Sequence, residues 1–403
     1  MKINLRNKLT NKNFSAIKNC IEVSRITGIK IYLVGGIVRD ILLNQPVKDI
    51  DITVEGDVNV FVRNLVKYSK VTKVKYNEKL PTAKVLFKNG TEIDFAATRK
   101  EIYEQYGALP VIKETGCPLK EDIFRRDFTV NSLAVSLNSE NLFEIIDYTG
   151  GLKDLKSKKL RVLHEKSFYD DPSRMIRGLK FAERLNFSLE DKTLLLQNEY
   201  IKNPLKNIPL VRVKNEIRDL FSLNKKSCFD NFVKQKLYRI FTPEYKSDLN
   251  GEKIKNIIFD FEINDEDFWL LFFIPFFTEQ NPSSKFNFTS RELKIISDIG
   301  LFKEKKLSVE DKFEIYEFFK EKDYLTAVFY GLLYNIDVAK TFFRIKNIRI
   351  YVTGKDLAAL GIPRGKIYSE IQKNLLKEKI NKKIKNKEEE IIFIKREYIK
   401  ERT

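Results

Sequence analysis

Asp49 and Asp51, in DIDITV at 49–54, are the residues whose types and spacing point most directly to chemistry. Carboxylate and apolar residues alternate there, the period-2 pattern of a half-buried strand. Residues two apart on a strand share a face. Two carboxylates on one face repel each other unless a cation holds them. Hard oxygen ligands of this kind suit Mg²⁺, which usually takes one or two carboxylates plus substrate phosphates. Asp94, in EIDFAAT, offers a third carboxylate from a neighbouring strand. Such a set is the minimum for two-metal phosphoryl or nucleotidyl transfer. For the Asp pair alone, an acidic solvent-facing strand is the plain alternative.

Three further stretches carry candidate residues. Gly35 and Gly36 lie between the β-rich run IYLV and a helix expected over VRDILL (38–43). Missing side chains there let backbone N–H groups approach a phosphate, and Arg39, one turn in, reaches toward the same anion. In RRDFTVNSLA (125–134), Arg125 and Arg126 are fork donors for phosphate. Asp127 can accept a ribose hydroxyl and Asn131 can bond either group; the two share a face if the stretch is helical. Asp127 as a simple helix N-cap is the alternative. In DDPSRMIR (170–177), Asp170 is expected to cap a helix, while Asp171 and Arg174, three apart, share a face. An aspartate accepts from an exocyclic amine and an arginine donates to a ring nitrogen or carbonyl. The pair can thus match C or A, with a surface ion pair as the bland reading.

These residues need elements to position them. AKVLF and TEIDFAAT flank Asn89-Gly90, a hairpin signal. Residues 100–122, with two Gly and two Pro, read as a loop, and NSLAVSL with LFEIIDY as a helix or strand pair. From Asp170 onward the spacing is helical, with few strand signals between 200 and 345. NLLKEKINKKIKNKEEEIIFIKREYIK reads as one long charged helix. Over 403 residues the net charge is +18, and residues 341–403 hold 17 Lys and Arg against 8 Asp and Glu. That balance favours polyanions, nucleic acid first, although a charged run can also be a solvated helix face. Three cysteines without a CxxC pair argue against a disulfide framework or zinc ribbon and fit a reducing cytoplasm. The single His164 excludes a His/Asp metal hydrolase or a zincin. FWLLFFIPFF (268–277) is too short to span a bilayer, and no secretory h-region opens the chain, so a soluble intracellular protein is expected.

Taken together, GGIVRDILLNQPVKDIDITV resembles the signature of class II tRNA nucleotidyltransferases, the CCA-adding family, related to bacterial poly(A) polymerases. RRDFTVNSLA and DYTGGLKDL (147–155) look like its second and third motifs, and LHEKSFYDDPSRMIRGLKFAERLNF (163–187) like its nucleobase-reading helix. IPLVRVKNEIRDLF (208–221) is a weaker match to the next motif, where Val211 replaces the usual Glu before Arg212. VTGKDLAALGIPRGKIYSEI (352–371) resembles a C-terminal segment of many bacterial members.

The resemblance implies an α/β catalytic head with a small mixed sheet, polymerase-beta-like, over 1–162. An all-α remainder follows: neck (163–223), body (224–345) and basic tRNA-binding tail (346–403). It implies template-independent addition of C and/or A to the tRNA 3′ end from CTP and ATP. Asp49 and Asp51 would hold Mg²⁺, with Asp94 as a third catalytic carboxylate. Gly35, Gly36, Arg39, Arg126, Asp127, Asn131, Asp171, Arg174 and Arg177 would bind the nucleotide. Addition of CC only or A only, and poly(A) synthesis, stay as variants. The extra basic-aromatic signature usual in poly(A) polymerases is missing from KVLFKNGTEIDFAATRK. A first motif near residue 31 leaves no room for an N-terminal accessory domain in this chain. A non-catalytic RNA binder would have been supported by loss of either catalytic aspartate.

Overall fold

The computed structural model describes residues 1–77, 80–206, 208–277 and 283–399. It divides into two compact units. One is Met1–Leu223 with Ser227–Lys246; the other is Asn224–Lys226 with the chain from Ser247 onward.

The first unit begins with α1 (Asn11–Thr27), β1 (Lys30–Val34), α2 (Gly36–Leu42), β2 (Asp51–Glu55) and α3 (Val58–Tyr68). It continues through β3 (Val71–Tyr76), β4 (Thr82–Phe87), β5 (Glu92–Ala97), β6 (Arg99–Ile102), β7 (Val111–Thr115), α4 (Leu119–Phe124), β8 (Ala134–Ser136) and β9 (Ile145–Ile146). Seven of these strands form one mixed sheet in the order β3-β4-β5-β2-β1-β8-β9. Only β2 and β5 run parallel. Local chemistry sets the boundaries. The Thr10 hydroxyl caps α1, and Gly28 ends it at φ 72°. Asp57 caps α3 through the N–H groups of Asn59 and Val60. Asn89-Gly90 turns β4 into β5, with Gly90 at φ 81°.

The two faces of the sheet differ. Val58, Phe61, Val62 and Leu65 recur at helical spacing and bury one side of α3. Phe61 meets Phe95 of β5 with ring centroids 5.6 Å apart. Each such fully buried side chain contributes about 1.5–3 kcal/mol. On the other face, Leu119 and Ile123 of α4 pack over Tyr32, Val34 and Ala134. That cover stops at β1, so the half formed by β2, β5, β4 and β3 lies open and becomes the floor of the site.

The 100–122 stretch is not a loop. β6 and β7 pair antiparallel, and α4 follows. Arg99 pairs with Glu101 at 2.6 Å, and the carbonyl of Tyr169 accepts the Gly107 N–H at 2.7 Å. Cross-strand pairing and this docking are long-range contacts that composition does not reveal.

Helices complete this unit: α5 (Gly151–Ser157), α6 (Ser167–Asp170), α7 (Ser173–Leu185), α8 (Asp191–Lys202), α9 (Leu210–Phe221) and α10 (Lys226–Lys234). Among the described residues from 190 onward there is no strand. The second unit holds α11 (Gly251–Asp260), α12 (Phe268–Phe273), α13 (Ser290–Gly300), α14 (Lys312–Phe319), α15 (Tyr324–Leu333) and α16 (Ile336–Ile345). Three more follow: α17 (Gly354–Ala359), α18 (Lys366–Ile380) and α19 (Lys387–Tyr398). The expected single charged helix is therefore two, broken where Lys382 takes φ 60°. The break lets Ile394 join Leu357, Ile371 and Leu375 in one small core. Glu390, fully buried, accepts from Lys379 Nζ at 2.5 Å and from the Tyr351 and Val352 N–H groups. Among the described residues no helix is long and apolar enough to cross a membrane.

Candidate active site

A cleft of about 1450 Å³ opens over the bare half of the sheet. Asp51 begins β2 and pairs with Asp94 of β5 in register, so both carboxylates share the open face. Asp49 precedes the strand and is exposed; the buried Ile50 continues the alternation. Partial burial, then the Asp94 and Asp49 carboxylates, push the Asp51 carboxyl above its ordinary value, against Arg126 and Lys84. Convergence of like charges is what a bound cation relieves, so this donor set fits a divalent metal held together with substrate phosphates. Among the described residues no group of three or more His, Cys, Asp or Glu is preassembled as a metal cage. Lys84 Nζ lies 3.2 Å from Asp94 and 2.8 Å from Glu92.

Gly35 takes φ 73°, and a Cβ there would stand 3.1 Å from Arg126 Nη1. Its N–H is already donated to the Leu133 carbonyl. What Gly35 provides is room for an arginine, rather than the phosphate contact expected of it. Arg39 is also committed: buried over the Phe181 ring, it donates to Asp40 at 2.8 Å and to Asn131 Oδ1 at 2.5 Å. Asp40 in turn accepts from Arg184 at 2.9 Å.

The stretch 127–131, whose residues share a face only if helical, holds a single 3₁₀ turn, Thr129–Asn131, and Asn131 donates to Asp127 at 3.1 Å. Burial opposes ionisation of Asp127, but Arg177 at 2.7 Å and Asn131 hold its carboxyl below the usual value. Arg177 also reaches Glu216 of α9 at 2.8 Å. Arg125 and Arg126 are both anchored on Asp122, which is fully buried in α4. Asp122 escaped the sequence reading; its position three and four residues before the arginine pair is the signal it offered. The Arg126 Nε is buried without a partner.

Arg174 is fixed by the Ser167 hydroxyl at 2.7 Å and the Arg125 carbonyl at 2.9 Å, with its guanidinium over Tyr103 of the hairpin. It lines the cleft; Asp171 is buried behind Arg212, whose Nη2 stands 2.7 Å from Asp171 Oδ2. That oxygen makes no hydrogen bond. Asp170 does not cap α7. It ends α6, and Asp171 Oδ1 instead accepts from the Ser173 N–H and hydroxyl. Pro172 after the pair forces this shift, since the residue before a proline avoids the helical region. Arg212 and Glu216, within the weaker match at 208–221, both contact α7 residues or the segment before it.

The third motif lines none of this cleft. Asp147 caps α5 by accepting from Thr149, Gly151 and Leu152. A Cβ on Gly151 would fall 2.3 Å from the Thr129 carbonyl oxygen. α5 thus abuts the 3₁₀ turn, and Thr129 Oγ1 donates to Asp154 at 2.6 Å. Gly151→Ala is expected to lower stability by about 1–3 kcal/mol and to displace Asn131. Thermal melting checks the first effect; an unchanged melting temperature would show that the turn yields freely.

A mixed sheet with converging carboxylates under an arginine-lined cleft defines the head of a nucleotidyltransferase. Residues 31–161 match the poly(A) polymerase head domain. The chain is 30% identical over 397 residues to an A-adding tRNA nucleotidyltransferase of Geobacter sulfurreducens, covering 90% of this chain and 44% of that protein. It is 42% identical over 191 residues to an A-adding tRNA nucleotidyltransferase of Aquifex aeolicus, covering 47% and 23%. A CCA-adding enzyme solved in complex with CTP superposes with a TM-score of 0.78 at 25% identity, over 97% of this chain and 96% of that one. The chain is similar to class II tRNA nucleotidyltransferases, the CCA-adding enzymes, along most of its own length. It spans less than half the length of the two curated relatives.

Proposed function

We propose that this protein adds nucleotides to the 3′ end of tRNA without a nucleic-acid template, using ATP, CTP or both. The carrying observation is the cleft itself: Asp51 and Asp94 converge on its floor, and Arg126, Arg174 and Arg177 line it. Asp49 and Asp51, with Asp94 beside them, are the residues that would hold Mg²⁺. When bound, the metal supplies electrophilic stabilisation to the attacking hydroxyl and the phosphates. Arg126, which lines the cleft, donates to the triphosphate; Asp127 and Asn131 hold the ribose. Arg174, with Asp171 once Arg212 swings off it, reads the base. Fixed donors at the reacting phosphate make a histidine base unnecessary; His164 lies outside this cleft.

Both curated relatives described above are A-adding enzymes, which favours terminal adenosine addition. Incubating tRNA ending at the discriminator base, at C, or at CC with labelled CTP or ATP separately decides this. ATP incorporation only onto the CC end supports A addition; no incorporation on any of them overturns the proposal.

Residues 346–403 are read as the tRNA-holding tail. Their excess of 16 basic over 8 acidic residues surrounds a core of their own. Deletion from residue 346 should weaken tRNA binding well beyond any effect on ATP binding. The full-length affinity should also fall more steeply with salt, because each neutralised phosphate releases counterions. Equal affinities and slopes for the two forms across a salt series would mark the tail as a solvated surface.

A further inference from the structure

The strand register extends the catalytic row beyond the carboxylates. Asp51 pairs with Asp94, Asp94 with Lys84, and Lys84 with Lys75, crossing β2, β5, β4 and β3 in turn. Directly paired residues share a face. With strands 4.7–4.9 Å apart, the row runs about 15 Å from Asp51 to the sheet edge. Lys73 pairs with Leu86, two residues from Lys84, and so lies on this face beside Lys75. Lys84 is held by Asp94 and Glu92. Lys73 and Lys75 are exposed and make no ion pair among the described residues. Tyr76 and Leu80, both partly exposed, line the same end of the cleft.

We propose that this β3–β4 ribbon is the track for the last nucleotides of the RNA acceptor strand, with Lys84, Lys75 and Lys73 along its phosphodiesters. The inference rests on the function proposed above and locates one substrate within it. Nucleotidyl transfer is in line, so the attacking 3′-hydroxyl approaches from the side opposite the leaving pyrophosphate. The arginines that suit a triphosphate, Arg126 and Arg177, come from the segments after α4 and on α7. α4 covers the sheet beyond β1. The remaining open approach to Asp51 is across β5, β4 and β3. Lysines suit such a track: a flexible point charge follows a backbone that must shift by one nucleotide after each addition.

The test uses the full chain with Lys73→Glu, Lys75→Glu and the double variant. Lys18→Glu, exposed on α1 over the opposite face, is the control. The probe is a fluorescent hairpin RNA with an acceptor stem ending in CC. Anisotropy gives its Kd across a salt series, and steady-state assays give KM for the RNA and for ATP separately. The double variant should raise RNA Kd and KM by at least about tenfold. Its salt slope should be shallower by about 0.7 for each lysine engaged, with KM for ATP within twofold of the parent. Unchanged RNA affinity and slope, an equal loss in Lys18→Glu, or a rise in KM for ATP instead would overturn the track. If the parent binds the RNA but incorporates nothing, the proposed function fails, and the anisotropy series alone decides the track. If the parent does not bind it, both fail.

Discussion

Asp51→Asn should abolish nucleotide incorporation while leaving the protein as stable as the parent or slightly more so. The loss follows from position: Asp51 is the in-register partner of Asp94 on the cleft floor, with Asp49 just before it. Removing one oxyanion-type donor alone costs about 10²–10³ in rate, and a metal-holding carboxylate supports more charge than that. At least a 10³-fold fall in kcat is expected at saturating Mg²⁺, and likewise for Asp49→Ala. The stability gain follows from the sign of the pKa shift. The folded-state value of Asp51 is raised by burial and by its acidic neighbours. The ionised carboxylate therefore costs folding free energy at neutral pH. That cost disappears as pH falls through the raised value, or when the charge is removed by substitution. Thermal melts without metal at pH 7 check this. A clear drop in melting temperature would show Asp51 to be a structural group, and near-normal turnover would remove it from the active site.

Arg174→Ala should lower incorporation of both C and A, whereas Asp171→Ala should relax the rejection of UTP. C and A each present an exocyclic amine beside a ring acceptor, and U presents a carbonyl where the amine would be. Against Asp171 that carbonyl would set two acceptors face to face in a site shielded from water. An unmade buried polar contact costs roughly 1–3 kcal/mol, or about 5- to 150-fold in discrimination. The structure makes the two substitutions unequal. Arg174 is held at the Ser167 hydroxyl and the Arg125 carbonyl, so its guanidinium is preset. Asp171 is shielded by Arg212 and has one oxygen without a hydrogen bond. Asp171→Ala also releases Arg212 and the cap on Ser173, so a moderate loss with all nucleotides accompanies the change in preference. The measurement is kcat/KM for CTP, ATP, UTP and GTP on one tRNA primer. A uniform fall for all four in both variants would mean the pair only braces α7.

The sequence by itself determined the local and strictly periodic features. The alternation in DIDITV required a strand, and β2 runs from Asp51 to Glu55 with Asp49 just before it, because the pattern is in the side chains themselves. Asn89-Gly90 had to turn a hairpin, and the helical spacing after Asp170 had to give helices. The charge excess near the C-terminus was equally plain. What only the tertiary structure decided was which groups are free to meet a ligand. Arg39 and Arg126 look alike in sequence. One is enclosed by Asp40, Asn131 and Phe181; the other lines the cleft with a buried Nε left unpartnered. Asp122 offered only its spacing to the arginine pair, and Arg212 and Glu216 only a weak motif match, since the fold decides which partners they meet. The hairpin at 99–115 was hidden for the same reason. Periodicity records which face of an element is buried, but a hydrogen bond needs its partner's position, and that is set only when distant segments pack.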